Sequence, residues 1–405
     1  MEFLPQVSGG HKFLVGHKFL VGRGATMGGM KKGAIHIATL VLRALYAISS
    51  LAGTRRRIVC ISRQSNDEPA DFALIREYMA EHHPDTGVVV LAKALEGRLA
   101  YCLHVARQVY HIATARAVVL DSYCIAVSLL AGHLRAPVIQ MWHAMGNMKR
   151  FGWEAIGGPE GRDAETARLM RMHEGYDSVI VSSMGFADDF ARGMGVSRDV
   201  LYESPLPRAD LLTDENYRAS MQETIHRAVP ETVGKKNIVY CPTFRRDAPG
   251  VTEAAERALR ELCDAVDFET CNLIYKRHPV STLRCEDPRV ICDVVEGADM
   301  LYVADWVVSD YSTVIYEAGL LGVPVSLYAY DWEDYSERRS LFIDIERDVP
   351  ALFTGDAAEI VAAIEAGDFD WGAYGEFMER NVALPEGQSS TERVVEHVLG
   401  LAEGR

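Results

Sequence analysis

Residues 56–93 read RRIVCISRQSNDEPADFALIREYMAEHHPDTGVVVLAK. Two β-rich runs, RRIVCIS and TGVVVLAK, flank a helical stretch, DFALIREYMAEHHP. Strand, helix, strand is the unit of a parallel sheet with crossover connections. The unit repeats downstream. LAYCLHVARQVYHIATA reads as helix and RAVVLDS as strand; CIAVSLLAGHL reads as helix and APVIQMWH as a strand ending at His143. DSVIVSS at 177–183 is a further strand, and GFADDFARGMG the helix after it.

A second series begins near 235. KKNIVYCPTF is a strand, EAAERALRELCDAV a helix, CNLIYKRHP a strand and PRVICDV a short one. MLYVADWVVSDYS holds a strand that runs into the helix STVIYEAGLLG, and VPVSLYAYD follows as a strand. Between the two series, 204–234 carries Pro205 and Pro207 and then a polar helix, which marks a domain junction. The expected fold class is α/β, with two doubly wound Rossmann-like domains. Facing each other across a cleft, such domains form the GT-B architecture of glycosyltransferases. The expected segments are 1–26, a non-native or misassigned leader; 27–53, a membrane-associating or packing helix; 54–205, an N-terminal domain; 206–385, a C-terminal domain; and 386–405, a final helix.

The length of 405 residues suits two domains, and 48% hydrophobic with 24% charged residues is globular composition, not disordered. The formal net charge of -15 argues against nucleic acid as a partner, because such binding neutralises phosphates with Lys and Arg. Any phosphate must be met in a local basic pocket. None of the eight Cys forms a CxxC pair, so no zinc site is expected, and free thiols point to a reducing, cytoplasmic compartment.

HKFLVG occurs twice in tandem, at 11–16 and 17–22, and Met27 or Met30 is a plausible natural start. The segment 31–52, KKGAIHIATLVLRALYAISSLA, is apolar but broken by His36 and Arg43, and Arg55, Arg56 and Arg57 follow it. A central Arg costs roughly 2.5–3.5 kcal/mol in a spanning helix. A cleaved signal peptide is disfavoured by the intracellular cysteine pattern. Two readings stand at even weight: a helix lying on an anionic membrane surface, or a first helix packed on the protein's own core.

Four segments place unusual polar residues beyond strand ends, where open parallel sheets carry function. Gln140 to Gly152 holds His143, a general base or a mere strand cap, with Lys149 and Arg150 behind it. CPTFRRD at 241–247 sets Arg245 and Arg246 after a strand, suiting phosphate or simply a solvated loop. YKRHP at 275–279 gathers Lys276, Arg277 and His278. Ser309, Asp310, Tyr311, Ser312 and Thr313 close a strand and open a helix that carries Glu317, either an anion site or an ordinary N-cap.

Together the four resemble the CDP-glycerol glycerophosphotransferase family of teichoic-acid synthases. The resemblance rests on WHAMGNMKRFG, CPTFRRD, YKRHP and SDYSTVIYEAGLLGVPV in that order, then YAYDWEDYSERRSLFIDIE and GQSSTERVVEHVL, over roughly 135–400. Ala144 and Ser340 stand where the family has Gly, Glu317 where it has Asp, and Thr313 where it has Ser. These departures keep the reaction class and leave the polyol open between glycerol and ribitol.

The resemblance implies a transferase that moves glycerol phosphate from CDP-glycerol to a hydroxyl of a lipid-linked wall polymer, releasing CMP. It would work without cofactor or metal, peripheral on the cytoplasmic face of the membrane, adding a primer unit or a short run. It implies that Arg277, His278, Ser312 and Thr313 hold the diphosphate, with Arg245 and Asp310 beside it. Glu317 would reach the ribose, Lys149 would sit on the acceptor side, and His143 would deprotonate the acceptor. The competing expectations are a nucleotide-sugar glycosyltransferase of the same architecture and a non-catalytic nucleotide-binding protein. Two histidines at strand ends in separate domains argue against the latter.

Overall fold

The computed structural model describes residues 25–94, 97–158, 161–245, 250–278, 281, 283–292 and 299–404. Most of the expected leader, together with Arg246, Asp247 and Pro279, lies outside the described residues.

Two six-stranded parallel sheets organise the chain. The first is built from β1 (Arg57–Ser62), β2 (Gly87–Ala92), β3 (Ala117–Leu120), β4 (Val138–Gln140), β5 (Ser178–Val181) and β6 (Leu201–Glu203). Its order is β2-β1-β3-β4-β5-β6. The second comprises β7 (Lys236–Tyr240), β8 (Cys271–Tyr275), β9 (Ile291–Cys292), β10 (Trp306–Ser309), β11 (Val325–Tyr328) and β12 (Leu352–Thr354), in the order β12-β11-β10-β7-β8-β9. β3, β5, β8, β10 and β11 are buried along their whole length. Helices therefore cover both faces, which is why these strands read as continuous apolar runs rather than alternating ones. In each sheet the strand order reverses at one point: between β1 and β3 in the first, between β7 and β10 in the second. Such reversals open a crevice at the carboxyl ends of the strands.

Several strands stop earlier than their sequence suggests. β4 ends at Gln140 and not at His143, because Trp142 takes a left-handed backbone with φ 68° and turns the chain out of the sheet. β7 and β8 end at Tyr240 and Tyr275, so CPTF and KRH are loops. β6 and β12, three residues each, escaped the sequence reading because they are too short to show a period.

The last helix, Ser390–Glu403, crosses back onto the first domain. Arg393 donates to the Glu203 carbonyl at 2.9 Å. His397 meets the Ser178 hydroxyl at 2.7 Å and stacks on Tyr202. The Asp210 carboxylate receives the Ser390 and Thr391 N–H groups at its start.

The first helix, Ala25–Ser50, packs one stripe on the first domain. Leu42 and Tyr46 are buried, and the Tyr46 hydroxyl accepts the Arg135 N–H at 2.9 Å. On the other side Ile37, Leu40, Val41 and Ile48 are exposed.

The two domains are stitched together where their loops meet. The Arg150 N–H donates to the Ser340 carbonyl at 3.0 Å and the Phe342 N–H to the Met148 carbonyl at 2.8 Å, around an antiparallel bridge between Lys149 and Leu341. The Tyr316 hydroxyl donates to the Asn147 carbonyl at 2.6 Å. Gly146 makes this approach possible: its φ is 69°, and a Cβ there would lie 2.1 Å from the Tyr316 ring. Gly146→Ala should therefore destabilise the fold by about 1–3 kcal/mol from backbone strain alone, with the ring clash added. An unchanged melting temperature would contradict this account of the junction.

Candidate active site

The Trp142 turn delivers His143 to the carboxyl edge of the first sheet. Its Nδ1 lies 2.9 Å from the carbonyl of Asp121, the residue that follows β3. A carbonyl only accepts, so Nδ1 carries the proton and Nε2 keeps its lone pair. The ring is solvent-accessible yet set deep among protein atoms, and its centre lies 4.3 Å from that of the Trp142 ring, tilted by 37°. Burial holds its pKa below the ordinary 6.5. Arg208 pushes the same way, while the Asp121 carbonyl bond and Asp71 oppose it. The imidazole is thus neutral at physiological pH, as a general base must be.

Behind His143 stands Arg208, which the sequence reading left unnoticed in the junction. It donates to Asp71 at 2.5 Å, to Glu317 at 3.0 Å and to the His143 carbonyl at 3.0 Å. Glu317 was expected at a ribose. Its carboxylate, on the short helix Val314–Leu320 that Ser312 and Thr313 precede, pairs with Arg208, which also pairs with Asp71 of the first domain. The helix start is held by the Ser312 hydroxyl, which accepts the Val314 N–H at 3.3 Å. Both Ser312 and Thr313 remain half-buried at the rim.

The second sheet's reversal point is occupied by Asp310, after β10, and by the loop after β7. Asp310 is fully buried and accepts the Thr243 N–H at 2.9 and 3.0 Å through its two oxygens. Arg245 donates to Asp310 at 2.6 Å, to the Thr243 carbonyl at 2.7 Å, and to Asp331 as a fork at 2.7 and 2.8 Å. Burial disfavours the charge on Asp310, but Arg245 and the Thr243 donors outweigh it and hold the carboxyl below its usual range. Both residues were expected beside the diphosphate. Arg245 donates to two carboxylates and the Thr243 carbonyl, and both Asp310 oxygens accept hydrogen bonds from the protein. They shape the loop that phosphate was expected to touch.

Lys149 was expected on the acceptor side. Although it belongs to the first domain, its Nζ is 3.3 Å from the Thr243 hydroxyl and 5.8 Å from the Tyr335 ring, both in the second domain. It stands close enough to His278 to lower that ring's pKa, second to burial. Phe244 packs on His278 at 5.5 Å. A narrow crevice of about 30 Å³ runs between Thr243, Tyr275 and His278. Arg277 is half-buried at its edge and donates to the Ser281 carbonyl at 2.9 Å. Lys149, Thr243 and His278 thus form one group of ammonium, hydroxyl and neutral imidazole, and His143, Arg208 and Glu317 form a second. The first domain's loop 143–149 joins the two.

Two α/β domains that meet at their facing sheet edges have the GT-B architecture. The family model for CDP-glycerol:poly(glycerophosphate) glycerophosphotransferase matches residues 45–400, and the chain belongs to that family. It is 28% identical over 313 residues to a teichoic acid ribitol-phosphate primase of Bacillus spizizenii, covering 76% of this chain and 80% of that one. It is also 28% identical over 315 residues to a teichoic acid glycerol-phosphate primase of the same organism, covering 73% and 81%. In fold it is similar to the wall teichoic acid polymerase TagF, with a TM-score of 0.67 at 15% identity over 94% of this chain and 99% of that one.

Arg245→Gln separates the structural account from the ligand account. Removing one partner of a buried ion cluster costs about 3–5 kcal/mol. The substitution should therefore lower thermal stability sharply. Retained stability with lost CDP affinity would instead return Arg245 to the phosphate.

Proposed function

We propose that the chain transfers glycerol phosphate or ribitol phosphate from its CDP-activated form to a hydroxyl of a lipid-linked, teichoic-acid-like acceptor. The reaction would take place at the cytoplasmic face of the membrane. The observation that carries this reading is the Nδ1 bond of His143 to the Asp121 carbonyl, which leaves a neutral Nε2 open to the cleft.

In the transfer, Nε2 takes the proton of the acceptor hydroxyl. The oxygen attacks the β-phosphorus of the donor, and the new P–O bond forms as the bond to the bridging oxygen breaks. CMP leaves with that electron pair. Lys149 and Arg277, with the neutral His278 ring and the Ser312 and Thr313 hydroxyls, hold the diphosphate and stabilise the charge that gathers on CMP. His143 then releases its proton to solvent. Arg208 fixes the loop that carries the base, and Glu317 fixes Arg208.

His143→Ala should cut CMP release by about 10²–10⁴-fold while leaving CDP affinity and the melting temperature nearly unchanged. His278→Ala should weaken CDP binding as well as rate. Near-normal turnover by His143→Ala at saturating acceptor would remove it as the base. In the unaltered enzyme, activity should fall on acidification with a midpoint below pH 6.5, because only the neutral ring accepts the proton and its pKa is depressed. A midpoint above 6.5 would contradict that sign. CDP, and not UDP, should raise the melting temperature; the reverse would favour a nucleotide-sugar donor.

The membrane part of the proposal rests on the outer face of the Ala25–Ser50 helix. Lys32–Ser50 is long and apolar enough to cross a membrane by length and composition, yet one stripe of the helix packs on the first domain. Exposed Ile37, Leu40, Val41 and Ile48 suit burial at a lipid surface. Ile37→Glu with Ile48→Glu should release the protein from anionic liposomes without lowering its stability. Unchanged liposome binding would refute surface docking through this helix.

A further inference from the structure

β4 carries one polar side chain. Val138 and Ile139 before Gln140 and Met141 after it are buried and apolar, and Gln140 itself is 0% exposed. An amide set among apolar side chains is unfavourable unless its polar atoms are paired, and a methionine would fill the same length without that requirement. The pairing is complete. Gln140 Oε1 accepts the Trp142 N–H at 3.0 Å. Its Nε2 donates to the Ser122 carbonyl at 3.2 Å and to the Tyr176 hydroxyl at 3.1 Å. A backbone N–H only donates and a carbonyl only accepts, so the two backbone partners fix which end of the amide is which. Tyr176 keeps its own hydroxyl proton for His173, whose Nδ1 lies 3.2 Å away and whose ring burial holds neutral, with a pKa of about 4.

Both backbone partners of the amide adjoin the atoms that set the state of His143. Trp142 is the residue before it and stands in the left-handed region, which a bulky residue keeps only where its surroundings impose it. Ser122 follows Asp121, whose carbonyl receives the Nδ1–H of His143 at 2.9 Å. In the ladder between β3 and β4, the Met141 N–H meets the Leu120 carbonyl at 2.7 Å, one residue before Trp142 and one before Asp121. Gln140 carries the tie past that point. It joins the chain that bears the ring to the chain that bears the ring's acceptor.

The charged neighbours do not choose between the two ring nitrogens. Arg208 and Asp71 act on the charge of the imidazole, and Arg208 is bonded to the His143 carbonyl and not to the ring. We infer that Gln140 is a positioning residue for the general base: its amide sets the Trp142 turn against Asp121 and Ser122, and so holds His143 in the tautomer that carries its proton on Nδ1. The inference rests on the transferase reading for its catalytic meaning, while the tautomer itself is observable without turnover.

The test is nitrogen-15 resonance spectroscopy of the full chain labelled at histidine, with His143→Ala identifying the His143 signals. In the unaltered protein at neutral pH, Nδ1 should resonate as a protonated nitrogen and Nε2 as an unprotonated one; the opposite tautomer would overturn the inference. Gln140→Met keeps the length of the side chain and removes its hydrogen bonds. The His143 ring should move to a mixture of the two tautomers. CMP release at saturating donor should fall about ten- to a hundredfold with the donor KM unchanged, the cost of a displaced catalytic group. Stabilisation by CDP should persist and report that the variant is folded. An unchanged tautomer in folded Gln140→Met would overturn the inference, whatever the rate. If Gln140→Met does not fold, Tyr176→Phe decides. Half-buried Tyr176 then loses only its oxygen, and the amide loses one of its two acceptors. A smaller move toward mixed tautomers should appear, and an unchanged ring would overturn the inference. Normal turnover by His143→Ala, beside a tautomer shift in Gln140→Met, would refute His143 as the base and leave the Gln140 tie standing.

Discussion

Arg208 holds the two halves of the site together. Its guanidinium, less than a quarter exposed, spans Asp71 of the first domain and Glu317 of the second, and it also reaches the carbonyl of His143. Taking three charges out of water is unfavourable unless each is paired and hydrogen-bonded, and loss of one partner leaves a buried charge exposed to that cost. The cluster therefore fixes how the domains meet rather than adding greatly to stability. The pairing of 148–150 with 340–342 and the packing of Tyr316 over Gly146 follow from the same closeness. A site assembled from two sheets needs such a constraint, because His143 and His278 stand at the edges of different sheets.

The division of labour between the sheets follows from their topology. Each reverses its strand order once, and each reversal lifts two strand ends apart to leave a polar crevice. The second domain fills most of its crevice with the Arg245, Asp310 and Asp331 cluster, which gives the Thr243 loop a rigid backbone. The first domain leaves its crevice open. The loop 143–149 runs from one to the other, so His143 at its start and Lys149 at its end lie at opposite crevices.

Much of this was legible in the chain itself. Alternating apolar runs and helical stretches announced two parallel sheets, and strand-end polar residues marked His143, the Thr243 loop and His278. What escaped was anything set by three-dimensional pairing. Asp310 and Arg245 look alike on paper whether they face a ligand or each other, and burial alone decides. Lys149 follows His143 in sequence, yet the loop carries it across to the other domain. Arg208 sat in a Pro-flanked stretch that reads as linker, and Asp71 reads as an ordinary acidic residue in a helix's first turn. The C-terminal helix's return to the first domain left no trace in local pattern, since its contacts with Ser178, Tyr202 and Asp210 are distant in sequence.

The central claim is that attack occurs at phosphorus and not at carbon. Phosphorus-31 resonance spectroscopy of the purified enzyme turning over CDP-glycerol or CDP-ribitol with a lipid-linked acceptor observes this directly. The account predicts that CMP and a new phosphodiester signal grow together in equal amounts. Release of CDP with its two phosphates still joined, and no new phosphodiester, would place the bond cleavage at carbon and contradict it.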